Sequence, residues 1–162
     1  MEKLLNIKNL SINYETDDEK VMAVTDLEIE LGEGETLGLV GETGAGKTTA
    51  ALGIMRLVPN PPGKIISGEI YFQERNLLNI SEEDMRAIRG RSISMIFQDP
   101  MTSLNPVLTV GYQIAEVIQI HEELSAKDAM NKASEMLELV GIPGNRLNDY
   151  PHQFSGGMKQ RV

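Results

Sequence analysis

The sequence predicts an α/β chain, and three observations carry that prediction. Short apolar segments with strand-like patterning recur at residues 4–14, 21–31, 36–40, 68–72 and 93–97. One of them, in TLGLVGETGAGKTTA (36–50), runs into a glycine-rich turn and then directly into a helix-forming stretch. Beyond residue 98 the pattern changes to amphipathic helices, so strands dominate the first part of the chain and helices the second.

Taken in order, residues 4–14 predict an edge strand in which Leu10, Ile12 and Tyr14 alternate. The acidic stretch Glu15–Glu19 reads as a solvated turn, and residues 21–31 resume strand patterning through Leu27, Ile29 and Leu31. Gly32-Glu33-Gly34 then turns the chain into a short buried strand carrying Leu37, Leu39 and Val40. The helix predicted over 48–57 is apolar on one side (Ala51, Leu52, Met55), and Pro59-Asn60-Pro61-Pro62-Gly63 stops it. Another strand follows at 68–72, and Ser81-x-x-Asp84 caps a helix that ends near Gly90. Ile93, Met95 and Phe97 alternate, and Ile96 makes both faces apolar, as an inner strand requires. Helices are predicted over 109–120 and 125–140. Ser125-x-x-Asp128 caps the second, Ala129, Met130, Ala133, Met136, Leu137 and Val140 share one face of it, and Gly141 ends it. The methionines read as core filler rather than as ligands.

Composition narrows the function. The chain has 162 residues, enough for a real core, and a net charge of −9 with no dense Lys/Arg run. A nucleic-acid partner therefore has no electrostatic footprint. There is no cysteine, which excludes disulfides and thiolate metal sites, and His121 and His152 form no recognisable metal motif. No apolar run reaches 18 residues, and the start MEKLLNIKNL lacks the apolar core of a signal peptide. The expectation is a soluble, cytoplasmic chain whose membrane role, if it has one, comes through a partner.

The strongest chemical signal is Gly41-Glu42-Thr43-Gly44-Ala45-Gly46-Lys47-Thr48, which fits GxxxxGK[ST], the Walker A pattern, with a strand before it and a helix after it. Gly41, Gly44 and Gly46 allow backbone angles and close approaches that a β-carbon would prevent. Successive N–H groups across Glu42, Thr43, Ala45 and on to Thr49 then form an anion-binding nest, reinforced by the positive end of the following helix. Lys47 supplies a mobile positive charge for the outer phosphates, and the Thr48 hydroxyl suits a Mg²⁺ ion.

A Walker A pattern fits many enzymes, and the discriminating stretch lies at Phe154-Ser155-Gly156-Gly157-Met158-Lys159-Gln160-Arg161. It resembles the signature motif of ATP-binding-cassette (ABC) ATPases, usually LSGGQ, and the order of motifs along the chain is also similar to that family. FQDPMTSLNP (97–106) and YPHQFSGGMKQR (150–161) look most like the ATPase subunits of oligopeptide and dipeptide importers. The resemblance implies a P-loop NTPase core of the ABC-cassette type, incomplete here, with an antiparallel β subdomain and an α-helical subdomain. Residues 1–98 would be the ATP-binding core with its β subdomain, and 99–162 the helical subdomain ending in the signature.

Site roles follow from the same resemblance. Tyr14 occupies the place of the aromatic residue that stacks on adenine. Gln98 corresponds to the glutamine that contacts Mg²⁺ and the attacking water and senses the membrane subunit, so Lys47 and Gln98 are the implied catalytic pair and Thr48 and Gln98 the implied metal contacts. Ser155, Gly156, Gly157 and Met158 would close on the γ-phosphate held by a second cassette, identical or paralogous, with Met158 standing where Gln is commoner. The implied cofactors are ATP and Mg²⁺. The implied partners are a transmembrane permease, docked through the helical subdomain, the second cassette, and indirectly a solute-binding protein. The implied location is the cytoplasmic face of the membrane.

One departure stands out. Hydrolysis in the family uses a Walker B strand ending in Asp-Glu and a later switch histidine, and no apolar strand ending in Asp-Glu occurs in this sequence. The expectation is a cassette truncated before Walker B, with strand edges left uncovered. Three readings stay open at this point: an importer's ATPase subunit, a nucleotide- or permease-binding fragment without turnover, and, less in keeping with FSGGM, a P-loop kinase or a non-transport cassette.

Overall fold

The computed structural model describes residues 3–97 and 102–162. The chain divides into two compact units, Met1–Arg86 and Ala87–Val162.

The first unit is built on β1 (Lys3–Glu15), β2 (Lys20–Gly32), β3 (Gly63–Phe72) and β4 (Arg75–Asn76). They form one antiparallel sheet in the order β2-β1-β3-β4. β1 is therefore an inner strand, not the edge strand predicted for residues 4–14. The reason is the length of β3. It starts at Gly63 rather than at residue 68 and runs beside β1 from Tyr14↔Gly63 to Leu5↔Phe72. The inward residues Ile7, Leu10 and Ile12 are fully buried, and the break in alternation between Ile7 and Leu10 coincides with an irregularity in the register. Helix α1 (Lys47–Ile54) packs through Ala50 and Gly53, where a β-carbon on Gly53 would come within 2.7 Å of Ile12 Cδ1. Ile70, Leu77 and Met85 complete this core. Met85 is carried by α2 (Glu82–Ile88), whose cap is the predicted one: the Asp84 amide donates to Ser81 Oγ at 3.0 Å, and that hydroxyl donates to the Asp84 carboxylate at 2.7 Å.

Two predicted strands are not strands. Residues 36–40 join no sheet, and Leu37, Leu39 and Val40 are 53%, 46% and 92% exposed. Residues 93–97 make only an isolated bridge at Ile93, and Ile96 is 94% exposed. A buried parallel strand needs hydrogen-bonded neighbours at its sides and apolar cover on both faces. Among the described residues neither segment has them. The apolar runs correctly signal a demand for burial, but what satisfies that demand is a partner strand.

The same feature moves the boundary between the units. A division at 98/99 presumes that 93–97 belongs to the first unit's sheet. Instead the chain after α2 folds back on itself, the Ser92 amide donating to Ile88 O and the Gly90 amide to Ile93 O, both at 2.9 Å, and the division falls at Arg86/Ala87.

The second unit is helical: α3 (Val110–Glu122), α4 (Ala126–Leu139), 3-10 turns at Gly144–Asn148 and Pro151–Gln153, and the short α5 (Gly156–Lys159). Thr109 caps α3 and Ser125 caps α4, each accepting an amide of the first turn. Val110, Leu137, Ile142 and Phe154 form one buried cluster. Ala115, Ala129 and Ala133 form a second, their small side chains letting α3 and α4 approach. The predicted apolar face of 125–140 is thus the buried face of α4. Among the described residues, no helix is long and apolar enough to cross a membrane.

Candidate functional site

The loop before α1 is shaped by two glycines in the left-handed region, Gly44 at φ +85° and Gly46 at φ +77°. At Gly46 the requirement is double, because a β-carbon there would fall on the Ala23 carbonyl oxygen of β2. The end of the loop is thereby seated against the sheet and α1 starts at a fixed place. Gly46 is also the N-cap of α1, and no side chain caps the helix. The amides of Lys47, Thr48 and Thr49 therefore have no acceptor within the helix. Lys47 arches back over the loop, its ammonium donating to the carbonyls of Gly41 at 2.7 Å and Glu42 at 2.6 Å. The Ala45 amide donates to Glu42 O at 3.1 Å and tightens the turn under it. A positive helix end, unused N–H donors and a mobile ammonium converge on one loop, which suits a polyphosphate.

Tyr14 lies in the same unit. Its hydroxyl is 3.5 Å from Thr49 Oγ1, so the aromatic residue stands beside the first turn of α1. On one side it is paired with Gly63, whose hypothetical β-carbon would meet the ring at 2.9 Å. On the other it is paired with Val21, which is 45% exposed. Residues directly opposite in an antiparallel pair share a face. An apolar neighbour is thus paired with Tyr14 at the turn end of the β1–β2 hairpin. Sequence reading missed Val21, although counting outward from the Glu15–Glu19 turn gives the pairing.

For Mg²⁺ the fit is partial. The Thr48 side chain is exposed in the first turn of α1, and among the described residues no three His, Cys, Asp or Glu side chains gather to hold a metal. A hard cation here would take most of its ligands from phosphate and water, as Mg²⁺ does in phosphate-bound sites. Gln98, the other implied metal contact, lies outside the described residues.

Ser155, Gly156, Gly157 and Met158 belong to the second unit. Ser155 is the N-cap of α5, its Oγ accepting the Met158 amide at 3.3 Å. Gly156 and Gly157 are exposed, neither has a positive φ, and a β-carbon on either would meet nothing within 4 Å. Among the described residues neither space nor backbone angle requires these two glycines. Their amides begin α5 and lie open. Met158 differs: its amide is engaged by Ser155, and its side chain packs on the Val110–Phe154 cluster with its sulfur 3.6 Å from Arg146 Nη1.

The family model described as ABC transporter matches residues 24–162, and the chain belongs to that family. Within it, the chain is 49% identical over 162 residues to the oligopeptide transport ATP-binding protein OppD of Bacillus subtilis (strain 168), covering 99% of this chain and 45% of that protein. It is 48% identical over 164 residues to the dipeptide transport ATP-binding protein DppD of the same organism, covering 100% of this chain and 49% of that protein. Among solved structures, the dimeric ATP-binding cassette MJ0796 in a post-hydrolysis state bound to ADP and Pi is similar with a TM-score of 0.79 at 24% identity, over 97% of this chain and 66% of that one. The chain spans about half the length of the curated relatives it matches.

Proposed function

We propose that this chain is the nucleotide-holding part of an ABC importer's ATPase subunit, one that couples ATP binding and hydrolysis to uptake of oligopeptides, dipeptides or similar solutes. The observation that carries the reading is the Lys47 ammonium folded onto the carbonyls of Gly41 and Glu42 above the uncapped start of α1. In this reading ATP draws Lys47 off those carbonyls onto its outer phosphates. The amides from Glu42 to Thr49 take the remaining phosphate oxygens, and the adenine lies against Tyr14. Thr48 and Gln98 are the residues that would hold Mg²⁺, which would supply positive charge to offset that of the phosphates. The open amides of Gly156 and Gly157, with Ser155, serve the γ-phosphate on a second cassette.

The partners that follow are a second cassette of the same or a paralogous chain, permease subunits docked on the helical unit, and a solute-binding protein acting through the permease. The place of work is the cytoplasmic face of the membrane. A narrower reading, ATP binding without turnover, is favoured for these 162 residues by the lack of any apolar strand ending in Asp-Glu. Loss of a carboxylate that polarises the attacking water removes several orders of magnitude in rate. Phosphate release in saturating Mg-ATP separates the two. Turnover that vanishes in Lys47→Ala supports the full ATPase reading. Lys47-dependent binding without release supports the narrower one, and turnover that is independent of Lys47 contradicts both.

A further inference from the structure

The Ser155–Met158 turn has an unusual mechanical problem. Its two consecutive glycines have maximal backbone freedom and no side chains of their own, so within the turn the Ser155 cap on the Met158 amide is the local restraint. Two arginines of the second unit hold it from outside: Arg161 donates through Nε to the Gly157 carbonyl at 3.2 Å and through Nη1 to the Val140 carbonyl at 2.7 Å, and Arg146 reaches both flanks of the turn. Arg146, in the 3-10 turn Gly144–Asn148, donates through Nη2 to the carbonyl of Gln153 at 3.0 Å. Its guanidinium carbon lies 4.8 Å from the centroid of the Phe154 ring. Its Nη1 is 3.6 Å from Met158 Sδ. The first two contacts precede Ser155 and the third follows Gly157. The guanidinium is itself fixed by Asp149, whose Oδ2 accepts from Nε at 2.7 Å, with both side chains about 30% exposed.

We infer that Arg146 is a positioning residue for the Ser-Gly-Gly turn, holding the Gly156 and Gly157 amides at the angle in which they meet an anion. The inference rests on the reading of that turn as a phosphate grip. Three features separate this role from ordinary packing. Phe154 is already buried against Val110, Leu137 and Ile142 without the arginine. The contacts use the planar fork, an aromatic face and a sulfur, which a lysine reproduces only in part. Met158 gains a purpose as well, since its thioether, turned back on Arg146, is the far end of the clamp.

The test is backbone ¹⁵N relaxation on the 162-residue chain, in wild type, Arg146→Met and Arg146→Lys. Rigid backbone has an order parameter of about 0.85 and flexible backbone one below about 0.6. Arg146→Met is expected to take Gly156 and Gly157 from the first range to the second while α4 stays rigid, with Arg146→Lys in between. Unchanged order at Gly156 and Gly157 in Arg146→Met overturns the proposal. A loss that extends equally through α4 overturns it too, because Arg146 is then a residue of the general fold. Mg-ATP-dependent association of the wild-type chain, read by sedimentation beside Lys47→Ala, tests the underlying reading separately. If the relaxation result holds and ATP draws no two chains together, the phosphate-grip reading fails while the clamp stands.

Discussion

Gly157→Ala separates a glycine kept for the chain's own fold from one kept for something outside it. Among the described residues a β-carbon at this position meets no atom within 4 Å, and its φ is not in the left-handed region, so alanine introduces neither clash nor strain there. Glycine within a helix is about 1 kcal/mol less favourable than alanine, and somewhat less at a helix start. The substitution is therefore expected to stabilise the helical unit by about 0.5–1 kcal/mol. For a unit of this size that raises its unfolding midpoint by roughly 2–8 °C, since 1 kcal/mol corresponds to about 4–8 °C. The same methyl group would stand where an anion approaches the open amides, so Mg-ATP-dependent association is expected to fall at least about tenfold, a loss of about 1.4 kcal/mol. Thermal unfolding by circular dichroism and sedimentation with and without Mg-ATP read the two effects on one sample. A lowered midpoint refutes the reasoning, because the glycine is then required by the chain itself. A raised midpoint with unchanged association refutes the assignment of the turn to a phosphate.

Other outcomes follow from the same geometry. Gly46→Ala is expected to act in the opposite sense, unseating the start of α1 from the Ala23 carbonyl, and a circular-dichroism melt should show a clear loss of stability. Asp84 is held below the usual aspartate range first by the Ser81 hydroxyl and then by Arg75. A depressed carboxylate contributes stability that is present above its unfolded pKa and lost as pH falls through the lowered folded value. Asp84→Asn should therefore flatten the acid limb of a pH–stability curve, and an unchanged limb would contradict the capping role. Val40 and Ile96, 92% and 94% exposed and outside any strand of the described residues, are expected to drive self-association without nucleotide. Val40→Lys with Ile96→Lys should reduce that association in light scattering, and a wild-type chain that is already a clean monomer would refute it.

What the sequence made legible was local. The glycine pattern gave the loop and the start of α1, because Gly44 and Gly46 are needed there by the backbone alone. Ser81, Ser125 and the apolar face of α4 were readable for the same reason: capping and helical periodicity depend on residues within a few positions. The inner place of β1 was not readable, because it depends on β3 extending back to Gly63, a long-range pairing with no local mark. Residues 36–40 and 93–97 were read as strands from apolarity that is real, but strand formation needs a neighbour. The loop that Lys47 folds over and the turn that Ser155 caps lie in motifs readable along the sequence. Val21 and Arg146 were not readable, since one depends on hairpin register and the other on a turn folding back to the residues it holds.

Nucleotide binding by calorimetry, with ATP and Mg²⁺ titrated into the wild-type chain and into Lys47→Ala, goes most directly to what this chain is. An ammonium hydrogen bond to a charged group is worth about 1.5–3 kcal/mol, so the variant is expected to bind about ten- to a hundredfold more weakly while keeping the wild-type fold by circular dichroism. Equal affinity in the two chains, or no binding by the wild type, would contradict the assignment of the Gly41–Thr49 loop as a nucleotide cradle.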